Sequence, residues 1–496
     1  MTQYLILPLG GVGQRFIDAG YKIYKPFLKI SKNNSIIDKI ISNFPKKKTR
    51  VIVIGNEKKF RLIKSNLKKN ILFIKIKNHK YGPLYSIFLA HKELKRIIKD
   101  KKLFIVYSDI NWNWKFQHIN KFIKNKKSVV FTHKGYHPDL ETNTQSDFCS
   151  INQKNYINKI SEKKLIFKDY KKNLLAIGCY YFCNYKFLEI FFEKNKFFLR
   201  PKTKEYYLVS LINFLIKEKI KVNFYNLKNF VHLGVPSQYE NFVNWKKILV
   251  YNFKKNLKLN FSNIMLMAGK GSRVKALKQK KPFLKIKNQK IYDYIFKKYG
   301  TENNLIITNN NYCNRLDKKY KIFKINNSKS MLQTVDKSLK FLRNHKSYFI
   351  TSCDCFGIFS GTKFKRFIKN EKPDVVLFAF KFTDLQKKNQ NSHSSIAVKN
   401  NNIVSIDVKK NSKQNKFGHA GFFWVKNSKV FDLINQFKLK KKINREMLLD
   451  DYFKYLFDFN KFKIKCFILE NYVHIGSLNE YNELKYWENY FKNENK

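Results

Sequence analysis

The chain has 496 residues, enough for roughly two to four domains of ordinary size. Its 101 Lys and Arg outnumber its 35 Asp and Glu and give a net charge of +66. The chain is rich in Lys, Asn, Ile and Phe, a composition that AT-rich codons produce. Because the basic residues are scattered along the whole chain, they argue against a dedicated nucleic-acid-binding tail. Seven cysteines without a CxxC pair, and no apolar run of roughly 18 residues, argue against a disulfide framework, a zinc knuckle and a membrane span, so we expect a cytoplasmic protein with free thiols.

The first predicted element is a buried strand, YLILPL, that leads directly into a glycine-rich loop. In LPLGGVGQRF, the missing β-carbons of Gly10, Gly11 and Gly13 would let backbone N–H groups approach a phosphate. Arg15 could then fork onto phosphate oxygens. The dinucleotide-binding spacing fails because Phe16 stands where a third glycine is required, and a P-loop Gly-Lys-Ser/Thr is absent. A simple turn remains the competing interpretation of this loop.

The next feature is the dipeptide Lys25-Pro26. A proline holds the preceding residue extended, which would present the lysine rigidly as a point charge for a phosphate. Further along, β-rich apolar runs alternate with amphipathic segments, which predicts a mostly parallel sheet covered on both faces. The predicted strands are RVIVIG, ILFIKI, LFIVYSD and SVVFTH, and the predicted helices are SIIDKIISNF, FRLIKSNLKK and LYSIFLAHKELKRIIK.

Asp109 directly follows one of these strands, in FIVYSDI. In such sheets ligands bind beyond the carboxyl ends of the strands, so the glycine loop and Asp109 are expected at the same edge. An aspartate there is a natural ligand for Mg²⁺, which usually takes one or two carboxylates together with substrate phosphates. It could instead cap a following helix. Trp112 and Trp114, just beyond it, could contact an acceptor substrate or simply pack.

The landmarks of the first half recur in the same order in the second half, which is the signature of an internal repeat. Their offset falls smoothly, as expected if the second copy kept the plan with shorter loops. We predict two tandem α/β domains, at residues 1–250 and 258–496. The matching pairs and their offsets are Gly13 and Gly271 (258), Pro26 and Pro282 (256), Asp109 and Asp354 (245), and His232 and His474 (242).

Together these features resemble the sugar-phosphate nucleotidyltransferases, also called nucleoside-diphosphate-sugar pyrophosphorylases. The resemblance covers roughly residues 3–245, and it includes the glycine loop with its arginine, the Lys-Pro and the aspartate after a strand. Five later segments are also similar to family marks, namely GPLYS, ISEKK, GCYYF, EYYLV and HLGVPSQYENF.

The resemblance implies a Rossmann-like, glycosyltransferase-A-type α/β sandwich. It also implies a reaction in which a sugar 1-phosphate oxygen attacks the α-phosphorus of a nucleoside triphosphate and pyrophosphate leaves, with Mg²⁺ as cofactor. By resemblance, the nucleotide is lined by Leu7, Gly10, Gly11, Gly13 and Gly82, the triphosphate is held by Arg15 and Lys25, the metal by Asp109, and the sugar phosphate by Lys163, Gly178 and Glu205.

The second copy keeps the residues implied for the triphosphate and the metal, and departs elsewhere. Its segment KSMLQT lacks the glycine of GPLYS, and GHAGFF replaces the Gly-x-Tyr strand. We expect it to act on a different sugar, with a regulatory or packing domain as the alternative. The corresponding residues are Gly269 and Gly271 for the nucleotide, Arg273 and Lys281 for the triphosphate, Asp354 for the metal, and Lys409 and Glu446 for the sugar phosphate.

Both copies depart from the family at one place. The family often has a second metal-binding aspartate just before the closing glycine, where this chain has His232 and His474. Imidazole is a poorer partner for Mg²⁺ than a carboxylate. Three interpretations stay open: one carboxylate suffices, the histidine contacts substrate, or it only packs. Both histidines therefore stay candidates beside the metal.

We therefore expect a Mg²⁺-dependent enzyme that makes nucleoside-diphosphate sugars from a nucleoside triphosphate and a sugar 1-phosphate, for surface polysaccharide. Nucleotidyl transfer to a non-sugar phosphate, of choline or cofactor type, is a close alternative. A non-catalytic basic binding protein on the same fold is a third. We expect no specific nucleic acid as a partner, and a homo-oligomer stays open.

Overall fold

The structure is a computed structural model of the whole chain. Its described residues form two compact units, Met1–Val243 together with Lys492–Lys496, and Asn244–Phe491. The described residues are 2–66, 71–141, 146–169, 172–195, 205–251, 257–259, 261–269, 280–301, 303–326, 328–343, 346–382, 393–399, 402–409, 417–440 and 446–494.

The first unit is an α/β sandwich. Its strands are β1 Gln3–Leu9, β2 Thr49–Asn56, β3 Leu72–Ile76, β4 Leu103–Val106, β5 Ile110–Trp112, β6 Ser128–His133, β7 Asp147–Ile151, β8 Ile157–Ser161, β9 Leu174–Phe182, β10 Val222–Asn226 and β11 Phe230–His232. Its helices are α1 Gln14–Asp18, α2 Ile36–Ser42, α3 Phe60–Asn66, α4 Gly82–Leu89, α5 His91–Ile98, α6 Phe116–Ile123, α7 Lys186–Lys194, α8 Leu208–Lys217 and α9 Pro236–Lys246, which ends past the division between the units.

The main sheet of this unit has the strand order β10-β6-β9-β4-β1-β2-β3, with β7 and β8 attached beside β9. The strands β4, β1, β2 and β3 run parallel, and β9 is antiparallel to both of its neighbours β4 and β6. All seven residues of β1 are buried, because helices cover both faces of a parallel sheet and a continuous apolar run is then required. The helices α4 and α8 supply part of this core through residues such as Leu84, Ile87 and Leu211.

The second unit repeats this plan. Its strands are β12 Ser262–Met267, β13 Lys285–Ile286, β14 Gln289–Lys290, β15 Asn304–Thr308, β16 Lys321–Lys324, β17 Tyr348–Ser352, β18 Cys355–Ile358, β19 Val375–Lys381, β20 Ser395–Lys399, β21 Asn402–Asp407, β22 Phe417–Val425, β23 Ile464–Ile468 and β24 Asn471–His474. Its helices are α10 Ile291–Tyr299, α11 Asn310–Cys313, α12 Met331–Lys337, α13 Leu339–Leu342, α14 Gly361–Glu371, α15 Ile434–Lys440, α16 Leu449–Asp458 and α17 Leu478–Glu494.

The strand order of the second sheet is β23-β19-β22-β17-β12-β15-β16, which corresponds strand for strand to the first sheet, with β20 and β21 in the places of β7 and β8. The predicted fold class, two tandem α/β units with mostly parallel mixed sheets, is confirmed. All seven cysteines are free, as expected. Among the described residues, no helix has both the length and the apolar character needed to cross a bilayer.

A short antiparallel pair outside the main sheet closes each unit. β5 pairs with β11 so that Ile110 faces His232, and β18 pairs with β24 so that Cys355 faces His474. The two registers are therefore the same. Each pair brings the end of its unit against the strand that follows the predicted metal-binding aspartate.

The sheet registers also match residues that differ between the units. The pairing of β4 with β9 places Gly178 opposite Tyr107, and the pairing of β17 with β22 places Gly421 opposite Ser352 in the same way. Gly178 therefore corresponds to Gly421, not to Gly418 at the start of GHAGFF. Both glycines have positive φ, 83° and 70°. A β-carbon on Gly178 would lie 2.9 Å from the ring of Tyr107, whereas on Gly421 the nearest atom would be 4.0 Å away. Ser352 stands where the first unit has Tyr107, which leaves that space open.

These two glycines give a matched stability test. Gly178→Ala should lower the free energy of unfolding by about 2–4 kcal/mol. The alanine would be strained in the left-handed backbone conformation, and its β-carbon would clash with the ring of Tyr107. Gly421→Ala should cost only the backbone part, about 1–2 kcal/mol. Urea denaturation followed by hydrogen-exchange mass spectrometry would report each unit separately. Equal losses in the two variants would contradict the predicted contact with Tyr107.

Candidate active site

The centre of the site in the first unit is an ion pair. The Nζ atom of Lys25 lies 3.2 Å from Oδ2 of Asp109, with side-chain exposures of 17% and 32%. Lys25 opens a short 3-10 helix, Lys25–Phe27, with Pro26 in its first turn, instead of lying in an extended segment as predicted. The second unit has the same pair, Lys281 with Asp354, at the same kind of turn.

Asp109 occupies the link between β4 and β5, so a strand follows it and it does not cap a helix. Its backbone carbonyl accepts a hydrogen bond of 2.6 Å from the N–H of Leu233, next to His232. Burial raises the pKa of Asp109, but the charges of Lys25 and His232 outweigh it, and the net pKa is lowered. In the second unit the N–H of Ile475 makes the equivalent bond to Asp354, also at 2.6 Å.

His232 is held by a carboxylate that the sequence analysis did not identify. Its Nδ1 lies 2.6 Å from Oδ2 of Asp139, and that oxygen also accepts a hydrogen bond of 2.9 Å from Nε2 of Gln238. Burial lowers the pKa of His232, but the contact with Asp139 reverses this and the net pKa is raised. His232 is therefore oriented by hydrogen bonds.

His474 has the same arrangement with a different acid. Its Nδ1 lies 2.7 Å from Oε1 of Glu480, and its Nε2 lies 3.9 Å from Oδ2 of Asp354. The other oxygen of Glu480 accepts from the N–H and the hydroxyl of Ser477, both at 2.8 Å. Burial raises the pKa of Glu480, but its contacts with His474 and Ser477 lower it to about 2.

The glycine loop follows β1, and its three glycines have different surroundings. A β-carbon on Gly10 would lie 2.3 Å from the hydroxyl of Ser86, so this glycine permits close contact with α4. Gly13 has a left-handed φ of 74°, and Gly11 faces open space. The hydroxyl of Tyr24 donates to the carbonyl of Gly11 at 2.6 Å, which fixes the loop and leaves its N–H groups available.

The other residues predicted around this loop are found as follows. Leu7 is fully buried within β1, and Arg15 is exposed in α1 directly after Gly13. In the second unit Gly269 is exposed and its carbonyl accepts from the hydroxyl of Tyr312 at 3.2 Å. Gly271 and Arg273 lie outside the described residues.

A second group of predicted residues meets at the start of α8. Gly82 has a φ of 82°, and a β-carbon on it would lie 3.3 Å from the β-carbon of Glu205. The hydroxyl of Tyr207 donates to Oε2 of Glu205 at 2.5 Å, and Nζ of Lys163 lies 3.7 Å from the same oxygen. Lys163 also lies 3.2 Å from the hydroxyl of Tyr207. The structure thus brings Gly82, Lys163 and Glu205 together.

Asp147, at the start of β7, lies beside this group and was not predicted. Its Oδ1 accepts a hydrogen bond of 3.2 Å from the backbone N–H of Lys163. Burial raises the pKa of Asp147 to about 6, against a smaller lowering by that hydrogen bond. The ring of Tyr107 packs against Gly178. Its hydroxyl accepts a hydrogen bond of 2.9 Å from the N–H of Leu208 at the first turn of α8.

The second unit differs at this end. Lys409 has a φ of 48° where Lys163 has 52°, two residues after the corresponding strand. Glu446 is exposed and precedes α16 as Glu205 precedes α8. Register places Ser394 where the first unit has Asp147. A carboxylate comes instead from helix α16: Asp450 contacts the hydroxyl of Ser394, and one of its oxygens lies 3.2 Å from Nδ1 of His419.

The tryptophans after Asp109 pack within the first unit. Trp112 is fully buried, and the indole N–H of Trp114 donates to the carbonyl of Asn43 at 2.7 Å. Both rings contact Phe44 edge-on. Of the two predicted alternatives for these residues, packing is therefore the one observed.

The first unit therefore has cations and a carboxylate beside open backbone N–H groups at one end of the sheet, and a Lys–Glu–Tyr group at the start of α8. The first set suits a polyphosphate with a divalent ion, since Mg²⁺ takes carboxylate and phosphate oxygens together. The second suits a hydroxylated, anionic acceptor.

Sequence comparison matches residues 4–223 to the family model described as nucleotidyl transferase. The match lies within the first unit. No curated protein sequence matches the chain.

Several solved structures resemble part of the chain. They include the nucleoside-diphosphate-sugar pyrophosphorylase from Vibrio cholerae RC9, with 16% identity, coverage of 48% of this chain and 99% of that chain, and a TM-score of 0.39. The inositol-1-phosphate CTP transferase from T. maritima has 18% identity, 46% and 96% coverage, and a TM-score of 0.37. The UTP-bound UGPase from Acinetobacter baumannii has 15% identity, coverage of 50% of this chain and 94% of that chain, and a TM-score of 0.38. At these values the structural likenesses carry no argument about substrate.

The raised pKa of Asp147 predicts a pH dependence of stability. An aspartate in an unfolded chain titrates near about pH 4. Because the folded pKa is about 6, the folded protein binds more protons in between, and this group's contribution to stability falls as pH rises through that window. Asp147→Asn should remove this dependence of stability on pH. The unfolding free energy of the variant minus that of the wild type should therefore increase from about pH 4 to pH 6 and then level off.

Urea denaturation across that pH range measures the difference. The matched control is Asp100→Asn, at an exposed position, which should show no such trend. A difference between Asp147→Asn and wild type that does not change with pH would contradict the raised pKa.

Proposed function

We propose that the chain is a nucleotidyl transferase that transfers a nucleotidyl group from a nucleoside triphosphate to a sugar 1-phosphate, with Mg²⁺ or a similar divalent ion. The match of residues 4–223, in the first unit, to the nucleotidyl transferase family model supports this proposal. The observation that carries the proposal is the pair of Lys25 and Asp109, which is next to the glycine loop because Tyr24, the residue before Lys25, donates a hydrogen bond to the carbonyl of Gly11. The product would be a nucleoside-diphosphate sugar for surface polysaccharide.

In the proposed reaction, the side chains of this chain bind and orient the reactants. The exposed backbone of Gly11 and the left-handed turn at Gly13 receive the phosphates, and Arg15 and Lys25 neutralise their charge. Asp109 would hold the divalent ion, which supplies further charge neutralisation on the triphosphate. Catalysis then consists of positioning and electrostatic stabilisation, as is general for phosphoryl-type transfers.

The contacts at the start of α8 support a sugar 1-phosphate as acceptor. Lys163 is a cation for the acceptor phosphate, and its position is fixed by Glu205 and Tyr207. The Oε2 atom of Glu205 already accepts from the hydroxyl of Tyr207, so a carboxylate is set to accept hydrogen bonds from sugar hydroxyls in the same way. Gly82 lets its own backbone approach the main chain of Tyr206 and the β-carbon of Glu205 closely.

We propose that the second unit is also active and uses a different acceptor. The pair of Lys281 and Asp354 supports activity. The change of acceptor is supported by Ser352 in place of Tyr107, and by a carboxylate that comes from α16, at Asp450, instead of from the strand. These changes alter both the space and the hydrogen-bonding groups at the acceptor end while the polyphosphate end is kept.

Substitution of the two aspartates tests the proposal. Asp109→Ala should lower kcat/KM for the first acceptor by at least about 10²-fold, because the carboxylate that would hold the divalent ion at the triphosphate is lost. Asp354→Ala should do the same for the second acceptor only. The measurement is pyrophosphate release from a panel of nucleoside triphosphates with sugar 1-phosphates and choline phosphate, with Asp100→Ala as the exposed control.

Each alternative has its own outcome in this assay. Pyrophosphate release with choline phosphate but with none of the sugar 1-phosphates would favour the non-sugar acceptor. A chain that releases no pyrophosphate, but binds polyanions in a manner sensitive to salt and insensitive to Asp109→Ala, would be a binding protein.

A further inference from the structure

We propose that the divalent-ion site of each unit contains an imidazole nitrogen, from His232 in the first unit and His474 in the second, and that the enzyme therefore prefers ions that accept nitrogen ligands, such as Mn²⁺ or Co²⁺, over Mg²⁺. The inference rests on the proposed function, because it concerns the ion that Asp109 and Asp354 would hold. Beyond the proposed function, it assigns both histidines a role as ligands and assigns the ion to a chemical class.

The two ring nitrogens of His474 face two different acidic side chains. Nδ1 of His474 is taken by Glu480 at 2.7 Å, and Nε2 points to Asp354, 3.9 Å from Oδ2. Two ligand atoms that each lie about 2.1 Å from one ion are at most about 4.2 Å apart, so this separation fits a shared ion. The same Oδ2 contacts the ammonium of Lys281, which shows that a cation is accommodated there.

The second argument is that a carboxylate orients each histidine. Histidines that bind metals almost always donate the other ring N–H to a carboxylate or carbonyl, which fixes the tautomer and leaves the second nitrogen as the ligand. Asp139 does this for His232 at 2.6 Å, and Glu480 does it for His474. If Nδ1 keeps its proton for this bond, the lone pair of Nε2 remains for the ion.

The third argument is that the two carboxylates come from different places in the fold. Asp139 lies in a short 3-10 turn before β7, whereas Glu480 lies in the first turn of α17. The pairings that hold the histidines have the same register in both units. The units thus keep one geometry at the histidine with two separate acids, which indicates that the orientation of the ring matters.

An ion on the other side of the ring, between His232 and Asp139, does not fit as well. His137 and Asp139 do lie close enough to His232 to suggest a cluster, with ligand atoms within 4.8 Å of one another. However, Nδ1 of His137 accepts the backbone N–H of Asp139 at 3.2 Å, and Oδ2 of Asp139 already accepts from Gln238. Nδ1 of His137 and Oδ2 of Asp139 are therefore already used in hydrogen bonds of an orienting network.

The chemical consequence follows from the donor set. Mg²⁺ demands oxygen ligands, whereas Mn²⁺ accepts oxygen and imidazole ligands, and Co²⁺ binds nitrogen still more strongly. Replacing a second carboxylate by an imidazole also removes one negative charge from the site. The loss of charge weakens binding of both ions, and the nitrogen ligand weakens Mg²⁺ more than Mn²⁺.

The test uses the full-length protein with Mn²⁺ alone as the probe. Pulsed electron paramagnetic resonance should detect coupling of bound Mn²⁺ to a ¹⁴N nucleus in the wild type. The coupling should disappear in the double variant His232→Asp/His474→Asp, which still binds Mn²⁺ through carboxylates. His118→Asp, the same change at an exposed position of α6, should leave the coupling intact.

Competition between Mn²⁺ and Mg²⁺ gives a second readout. The ratio of their dissociation constants should favour Mn²⁺ in the wild type and should shift toward Mg²⁺ by about 10-fold or more in the double variant. Bound Mn²⁺ without nitrogen coupling in the wild type would overturn the inference, even if the double variant failed to fold. If Asp109→Ala then still abolished pyrophosphate release, the proposed function would stand without it.

The positioning role of the acids has its own measurement. Asp139→Asn and Glu480→Gln together should weaken Mn²⁺ binding by about 10- to 100-fold. The nitrogen coupling of the Mn²⁺ that still binds should persist, because the histidines remain. Unchanged Mn²⁺ affinity in a folded variant would show that the two acids do not orient the histidines toward an ion.

Discussion

The backbone hydrogen bond from Leu233 to the carbonyl of Asp109 is the constraint on which the site depends, and Ile475 makes the same bond to Asp354. Each bond joins the strand that follows the aspartate to a segment near the end of its unit. The position of each aspartate therefore depends on a segment more than 100 residues further along the chain. A slip of one residue in this pairing would move the histidine away from the aspartate, so the registers of β5 with β11 and β18 with β24 determine the geometry.

The two units show which parts of this plan tolerate change. The ion pair of lysine and aspartate, the turn that carries the lysine and the oriented histidine are kept in both. At the acceptor end a buried tyrosine becomes a serine and a carboxylate moves from a strand to a helix. A half-buried carboxylate requires a partner wherever it is placed, and the second unit supplies one for Asp450 in His419.

The sequence was sufficient to predict the fold and much of the candidate site, because their signals are local or repeated. Apolar runs, glycines and Lys-Pro recur in order, and they predicted both sheets and the approach of Lys25 to Asp109. Asp139 and Asp147 were missed because one acts through a partner far along the chain and the other through burial. No spacing in a single sequence shows that Asp139, in a 3-10 turn, meets His232 at a separation of 93 residues. Glu480 lies only six residues after His474, but no feature of the sequence shows that the turn between them brings the two side chains into contact.

The ion pairs also explain how the site can be stable without substrate and still receive one. Burial penalises the charge of Asp109, and the ammonium of Lys25 offsets that penalty. On the proposed function, an arriving polyphosphate brings its own divalent ion. Asp109 would hold that ion in place of the ammonium, and Lys25 would then be available to the phosphates, so that neither charge would be left without a partner. In the ion site proposed above, His232 would supply a second ligand beside Asp109, because Asp139 holds its ring through Nδ1 and leaves Nε2 for the ion.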